Sequence, residues 1–486
     1  MGMNVNLTPQ LESRVRARFG GVPVVSLHSG LADGARATGW LAALESRARI
    51  VLGTRSAVFV PMPALALICV DEEHDPSFKA GDGIRYSARD LAVKRAQIEG
   101  LAVVMGSATP SIESWAKVRA GRYSLSALPH RAPAPADSVE SGPIDVRTVD
   151  LRVHRREQGL TEPVRAALRA TLLRGEQSLV FINRRGYAPV LSCEACGWLS
   201  ACPRCTAFAA FHRADDVLRC HHCGWSVSVP RACPSCGNQD LSAVGAGTQR
   251  IEQALRDCMP QARIARLDRD SARRKDAARD ALDAMHAGAV DVLVGTQMLT
   301  KGHDFRRVTT VIVLNVDAQL VSHDFRAAER LFATLTQVIG RGGRAGLASQ
   351  ALIETRFAQH PMYSALARGD YAAFADAILT ERRSARLPPF VFQALLATES
   401  RTMPAALALL QELELQLGGA GAPDVTVYDP VPMALSKRAD VFRAQLLLES
   451  ARRGALHDAL KRIDPAIVKG RRPGVRLRIE VDPQEI

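Results

Sequence analysis

Eight of the ten cysteines in this 486-residue chain fall into four Cys-x-x-Cys pairs: Cys193/Cys196, Cys202/Cys205, Cys220/Cys223 and Cys233/Cys236. Two thiolates separated by two residues can face one metal ion, and two such pairs complete a tetrahedral S4 set. That set leaves no open coordination position, so the zinc it selects is structural. Four pairs between residues 193 and 236 therefore imply two zincs. Spacing alone allows the pairs to combine sequentially or in a nested order. Disulfides are the competing use of such pairs, and the spacing matches none of the usual iron–sulfur runs. The other two cysteines, Cys69 and Cys258, lie in segments that read as buried, which favours a reducing compartment.

The formal net charge of +13 suits a polyanionic partner such as nucleic acid. Arginine far outnumbers lysine, so part of that charge is compositional bias. The longest apolar stretches, such as Ala64–Val70, are only strand-sized, and nothing reads as a signal peptide. The expectation is a cytoplasmic protein without a membrane partner.

Residues 1–125 alternate short apolar strands with helical segments, and a polar cluster closes each strand. Val22–Leu27 runs into His28-Ser29-Gly30, and Ile50–Leu52 into Gly53-Thr54-Arg55. Ala64–Val70 runs into Asp71-Glu72-Glu73-His74, and Leu101–Met105 into Gly106-Ser107-Ala108-Thr109-Pro110. Wholly apolar strands between helices predict a parallel sheet covered on both faces, with ligands beyond the strands' carboxyl ends. A Pro/Ala-rich linker lies within 126–144. A second α/β unit is expected over 145–190 and 241–358, with strands at Leu179–Ile182, Val290–Val294, Val308–Asn315 and Ala351–Thr355. The cysteine module, 191–240, interrupts it after the first of these, and Gly197, Gly224 and Gly237 look like knuckle turns. Residues 362–486 read strand, helix, strand, strand, helix, strand, a ferredoxin-like α+β order.

Acidic groups at a strand end, as in Asp71-Glu72, can hold Mg²⁺ through its water shell and polarise an attacking water. Arg341 and Arg344, three residues apart, are expected on one face of a helix start, where their planar forks suit phosphate oxygens. Gly295-Thr296-Gln297-Met298 and Lys301-Gly302-His303-Asp304-Phe305 follow another strand and are placed to touch phosphate or backbone. Each motif is ordinary by itself; their joint order along two α/β units is not.

On these residues the chain resembles the superfamily 2 replication-restart DNA helicases of the primosomal protein N′ family. The stretches that carry the resemblance include Leu7–Gln10, Leu27–Gly30, Gly53–Ala57, Asp71–His74, Arg85–Asp90, Gly106–Pro110 and Phe181–Tyr187. The eight cysteines, Gly295–Phe305, Gln337–Ala345 and Lys437–Ala439 complete it, so it covers essentially the whole chain. The resemblance implies two RecA-like motor lobes and an ATP- and Mg²⁺-dependent motor that moves 3′ to 5′ on single-stranded DNA and unwinds forked duplex. It implies a monomer that works with single-stranded-DNA-binding protein and other primosome proteins. Carried over, Asp71, Glu72, Arg341 and Arg344 are catalytic, and Gly302, Asp304 and Gln337 bind nucleotide. Thr8, Thr54, Arg55, Phe78, Tyr86 and Lys301 contact DNA. Cys193, Cys196, Cys233 and Cys236 share one zinc, and Cys202, Cys205, Cys220 and Cys223 the other, nested inside. Segment 75–86 matches an aromatic-rich loop that couples DNA to hydrolysis, with Ile84 where the family has tryptophan; an aliphatic side chain has no π-face to stack on.

A phosphate-cradling loop has the form Gly-x-x-x-x-Gly-Lys-Ser/Thr, yet this sequence contains no Gly-Lys dipeptide. It starts within a residue or two of the family's second helicase motif. The resemblance therefore implies an incomplete first lobe, without the N-terminal DNA-binding domains and the first motor strand. A misassigned start, an interrupted gene or a separate polypeptide would each account for that. Residues 1–125 are expected to pack poorly, with two strand edges left unpaired, and the chain alone is expected not to hydrolyse ATP. The alternative is a non-catalytic zinc platform for DNA or partner proteins.

Overall fold

The computed structural model describes residues 1–3, 9–128, 144–183, 190–203, 208–212, 217–220, 225–244, 248–267, 277–296, 305, 307–322, 324–343, 347–418, 424–438, 441–463 and 474–486. These form two compact units, residues 1–124 with 379–486, and residues 125–378.

In the first unit, five parallel strands line up in the order Val24–Leu27, Ile50–Gly53, Gly2–Met3, Leu67–Asp71, Ala102–Gly106. The central slot, expected to leave unpaired edges, is filled by the two-residue strand Gly2–Met3. Met3 is buried there, the Met1 amine donates to Leu67 O at 2.8 Å, and Cys69 N donates to Met1 O at 2.8 Å. One face is closed. Helix Ala88–Glu99 lays Ala88, Ala92 and Ala96, a stripe of small side chains one turn apart, against Val51, Ile68 and Val70. Ser87 caps that helix through Asp90 N, and left-handed Gly100 ends it. The expectation of cover on both faces fails on the other side. Strand Leu67–Asp71 alternates exposed and buried residues, and Leu67, Cys69 and Val104 (54 % exposed) face outward. Apolar sequence announced burial that the packing does not provide, and Cys69 is exposed with it.

The same unit contains the C-terminal sheet, residues 392–481, in the strand order Thr426–Val427, Val441–Ser450, Phe392–Ser400, Val475–Val481, all antiparallel. Strand Val431–Arg438 also pairs with Val441–Ser450. Helices Met403–Leu417 and Arg453–Lys461 bury Leu409, Leu410, Leu413 and Leu456 against Leu396, Leu446 and Leu477. The strand–helix alternation follows the order read from the sequence with one strand more, Val431–Arg438, between Thr426–Val427 and Val441–Ser450.

The second unit is built on six parallel strands, in the order Ile264–Leu267, Val292–Gly295, Gln177–Ile182, Val308–Leu314, Ser349–Thr355, Ile144–Asp150. Its central strands are buried along their whole length, as a sheet sandwiched by helices requires. Leu331, Leu335 and Val338 of helix Ala327–Ile339 belong to the core on one face, and Val164 and Leu168 of helix Glu162–Leu173 to that on the other. The strands Ile144–Asp150 and Ile264–Leu267 escaped sequence reading because polar residues interrupt both.

Candidate metal centre and motor site

The cysteine module enters after strand Gln177–Ile182 as a five-stranded antiparallel sheet. Its order is Ser226–Ser228, Val217–Arg219, Ala210–His212, Val190–Cys193, Leu241–Val244. Two knuckles repeat one hydrogen-bond pattern. Gly197 N donates to Cys193 O and Cys193 N to Trp198 O; Gly237 N donates to Cys233 O and Cys233 N to Asn238 O. Gly197 (φ +79) and Gly237 (φ +75) hold the left-handed turns that aim each thiol pair inward. A Cβ at Gly197 would also lie 2.6 Å from Arg356 Nη1, so the guanidinium end would have to shift. The Arg356 guanidinium also donates to Ser192 Oγ at 3.1 Å, which ties the module to the last residues of the parallel sheet.

The sulfurs of Cys193, Cys196, Cys233 and Cys236 lie within 4.8 Å of one another. Cys193 Sγ to Cys236 Sγ and Cys196 Sγ to Cys233 Sγ are each 3.6 Å. That is far beyond a disulfide length of about 2.05 Å. It approaches the edge of about 3.8 Å for a tetrahedron with Zn–S near 2.3 Å. Burial pushes the Cys193 thiol up, but the N–H groups of Cys196 and Ala195 and then the Cys236 and Cys196 thiols bring it down, while Cys236 is pushed up in return. The thiols share protons at this spacing, and an S4 donor set of this size fits zinc. The structure brings the first and fourth pairs together. Of the other two pairs, Cys202 and Cys220 are buried side by side against Trp225, while Cys205 and Cys223 lie outside the described residues.

In the first sheet, Asp71 closes its strand, opposite Gly106 of the next. Desolvation there pushes its carboxyl above the ordinary value, partly offset by the Glu72 N–H. Glu72 has φ +52, a left-handed conformation uncommon for a side chain this long. His74 Nδ1 meets Ser107 Oγ at 2.7 Å and Glu72 Oε2 at 3.5 Å, linking the acidic turn to the Ser107–Pro110 turn. Sequence reasoning gave Glu73 and Arg89 no separate role, yet they lock the two turns together. Buried Glu73 accepts from Ser111 N (2.6 Å), Ser114 Oγ (3.0 Å) and Arg89 Nη1 (3.3 Å). Both residues sit in motifs the resemblance singled out, and no spacing rule could say which carboxylate turns inward.

Other expectations change. Phe78 is in the hydrophobic core, so it presents no face to a base in this structure. Tyr86 packs edge-on against Phe59 at 4.9 Å, and Ile84 (85 % exposed) stands out from the loop. Thr54 lies at the N-terminus of the short helix Arg55–Phe59, and Arg55 Nη1 donates to Ser77 O and Lys79 O, gripping the 75–80 segment. Arg341 is not at a helix start: helix Ala327–Ile339, which carries Gln337, ends before Gly340. Gly343 (φ +72) then turns the chain so that its N–H reaches Val308 O. Thr8, Lys301, Gly302, Asp304 and Arg344 lie outside the described residues.

Similarity to known proteins follows the same division. The Primosomal protein N C-terminal domain matches residues 383–484, the PriA DNA helicase Cys-rich region residues 202–227, and the Helicase conserved C-terminal domain residues 244–346. The Replication restart protein PriA of Haemophilus influenzae is 40 % identical over 482 residues, covering 99 % of this chain and 65 % of its own length. The protein of that name from Bacillus subtilis is 35 % identical over 459 residues, 94 % of this chain and 56 % of its own length. The one from Rickettsia conorii is 31 % identical over 458 residues, 94 % of this chain and 69 % of its own length. The chain therefore spans somewhat under two thirds of the first two relatives.

Proposed function

The chain belongs to the PriA family of replication restart proteins, and on that premise we propose that it carries the motor and zinc parts of an ATP-dependent 3′–5′ DNA helicase acting on forked and single-stranded DNA. The observation that best supports this is the Cys193/Cys196/Cys233/Cys236 cluster, set in an antiparallel module that interrupts a helicase-type parallel sheet after its Gln177–Ile182 strand. Two structural zincs are proposed, the second on Cys202, Cys205, Cys220 and Cys223. Single-stranded-DNA-binding protein and other primosome proteins are the proposed partners of a monomer at the replication fork in the cytoplasm.

Asp71 is the group to hold Mg²⁺ through water, and Mg²⁺, when bound, neutralises phosphate charge. Glu72 is the group to orient the attacking water, and His74–Ser107 keeps its turn against the next strand. Gln337, Gly302 and Asp304 are proposed nucleotide contacts, and Arg341 and Arg344 the guanidiniums that meet charge developing on the phosphate. Thr8, Thr54, Arg55, Tyr86 and Lys301 are proposed DNA contacts.

Without a Gly-Lys-Ser/Thr loop in these 486 residues, the β- and γ-phosphates lose their main counter-charge. The chain alone is therefore proposed to bind DNA and zinc without turning ATP over. Phosphate release measured with and without single-stranded DNA tests this, and DNA-stimulated hydrolysis by the purified chain would refute it. The alternative, a zinc-bearing platform with no nucleotide site, predicts a DNA affinity indifferent to ATP.

A further inference from the structure

The turn that follows Asp71-Glu72 does not end in solvent. Lys79 Nζ donates to Val481 O and to Asp482 O (3.2 Å), and Arg85 Nη1 pairs with Glu480 Oε2 at 2.7 Å. Arg85 thereby lies against the last strand of the C-terminal sheet. Glu399 and Arg443 face each other there across neighbouring strands, and Arg478 stands nearby. The charges do not balance. Glu480 makes its close pair with Arg85 while also facing Lys79 and Arg478. Glu399 is left to serve Arg443 at 3.5 Å and Arg478 at 3.9 Å, both longer than a charge-assisted hydrogen bond. The Nε–H groups of Arg85 and Arg478 are buried with no hydrogen-bond acceptor among the described residues, and that of Arg443 has only the long 3.5 Å contact to Glu399 Oε1. Burial, then the neighbouring Arg85 and Arg443, lower the proton affinity of Arg478. Counting Lys79 with the three guanidiniums, the cations of this seam outnumber Glu399 and Glu480, and two buried Nε–H groups keep no acceptor among the described residues, an arrangement that an anion would relieve.

We propose that Arg85, Arg443 and Arg478 form a phosphate subsite at the seam between the post-acidic turn and the C-terminal sheet, and that it takes a backbone phosphate of single-stranded DNA. A phosphodiester brings one negative charge and acceptor oxygens into this cationic excess. The same turn carries exposed Ile84, so a strand seated here runs along a loop joined directly to the acidic pair.

The proposal rests on DNA being the ligand of this chain. The test is anisotropy of a labelled single-stranded oligonucleotide titrated with the purified chain over a range of salt. Arg478→Ala is expected to weaken binding about fivefold and reduce the salt slope by about 0.7, one phosphate's share on a single strand. Glu399→Gln, which removes the competing carboxylate, is expected to tighten binding, an outcome misfolding cannot imitate. DNA binding with the same affinity and slope in Arg478→Ala would overturn the subsite and leave the proposed function intact. No DNA binding by the unsubstituted chain would overturn both. If inorganic phosphate raises the Tm of the unsubstituted chain but not of Arg478→Ala, while DNA binding is identical in the two, the ligand is free phosphate and the backbone assignment is wrong.

Discussion

The two parallel sheets begin from the same sequence grammar, apolar strands closed by polar clusters, and end in different states. In the Val308–Leu314 sheet every central residue is buried and helices cover both faces. In strand Leu67–Asp71 only Ile68 and Val70 are buried, while Leu67 and Val104 stand open and Ala102–Gly106 is an edge among the described strands. A strand's hydrophobicity records the burial its fold was built for; whether neighbours supply it is a tertiary matter. The open sheet is also the one whose carboxyl ends carry Asp71 and Glu72.

The largest expected effect is in the cysteine module, whose small sheet buries few apolar residues beyond Leu191, Ala209 and Leu218. Chelating zinc, or Cys233→Ser, should unfold 190–244, because metal binding in such modules supplies most of the folding free energy. Circular dichroism and zinc release should change together, while the parallel sheet keeps its own melting transition. Next is Glu73→Ala, which takes the acceptor from Ser111 N, Ser114 Oγ and Arg89 Nη1 while Arg89 keeps Asp90, and should cost about 3 kcal/mol in urea unfolding of the first unit. An equal loss from Glu72→Ala would break the distinction between the buried and the outward carboxylate. The comparison itself is sharpened by two truncations. Ile312→Ala, in the closed sheet, should cost about 3 kcal/mol. Leu67→Ala, on the open face, should stay within about 0.5 kcal/mol.

The smallest effect concerns Asp291, whose carboxyl the Arg263 side chain holds below the usual range through hydrogen bonds of 2.6 and 3.0 Å. A depressed carboxylate contributes stability that is present at neutral pH and is lost as pH falls through its folded value. Asp291→Asn should therefore flatten the acid limb of the stability curve by under about 1 kcal/mol and leave pH 7 to 8 unchanged in slope.

What the sequence made legible follows from how local each signal is. Cys-x-x-Cys pairs, uniformly apolar strands and polar strand ends are written within a few residues. The two-residue strand Gly2–Met3 has no periodicity to read, and Ile144–Asp150 alternates like a surface strand although it closes a parallel sheet. The inward turn of Glu73, the burial of Phe78, the tethering of Lys79 and Arg85 to the last strand, and the open face are all set by partners far along the chain. Gly340 and Gly342 beside Arg341 were visible in the sequence, and they end the helix there instead of starting one.

Native-state hydrogen exchange on the zinc-loaded chain tests the contrast between the sheets most directly. Amides of Val308–Leu314 are predicted to exchange only through global unfolding, while those of Ala102–Gly106 exchange orders of magnitude faster through local opening. Equal, strong protection in the two strands would contradict the account, because it would mean that the first sheet is as closed as the second.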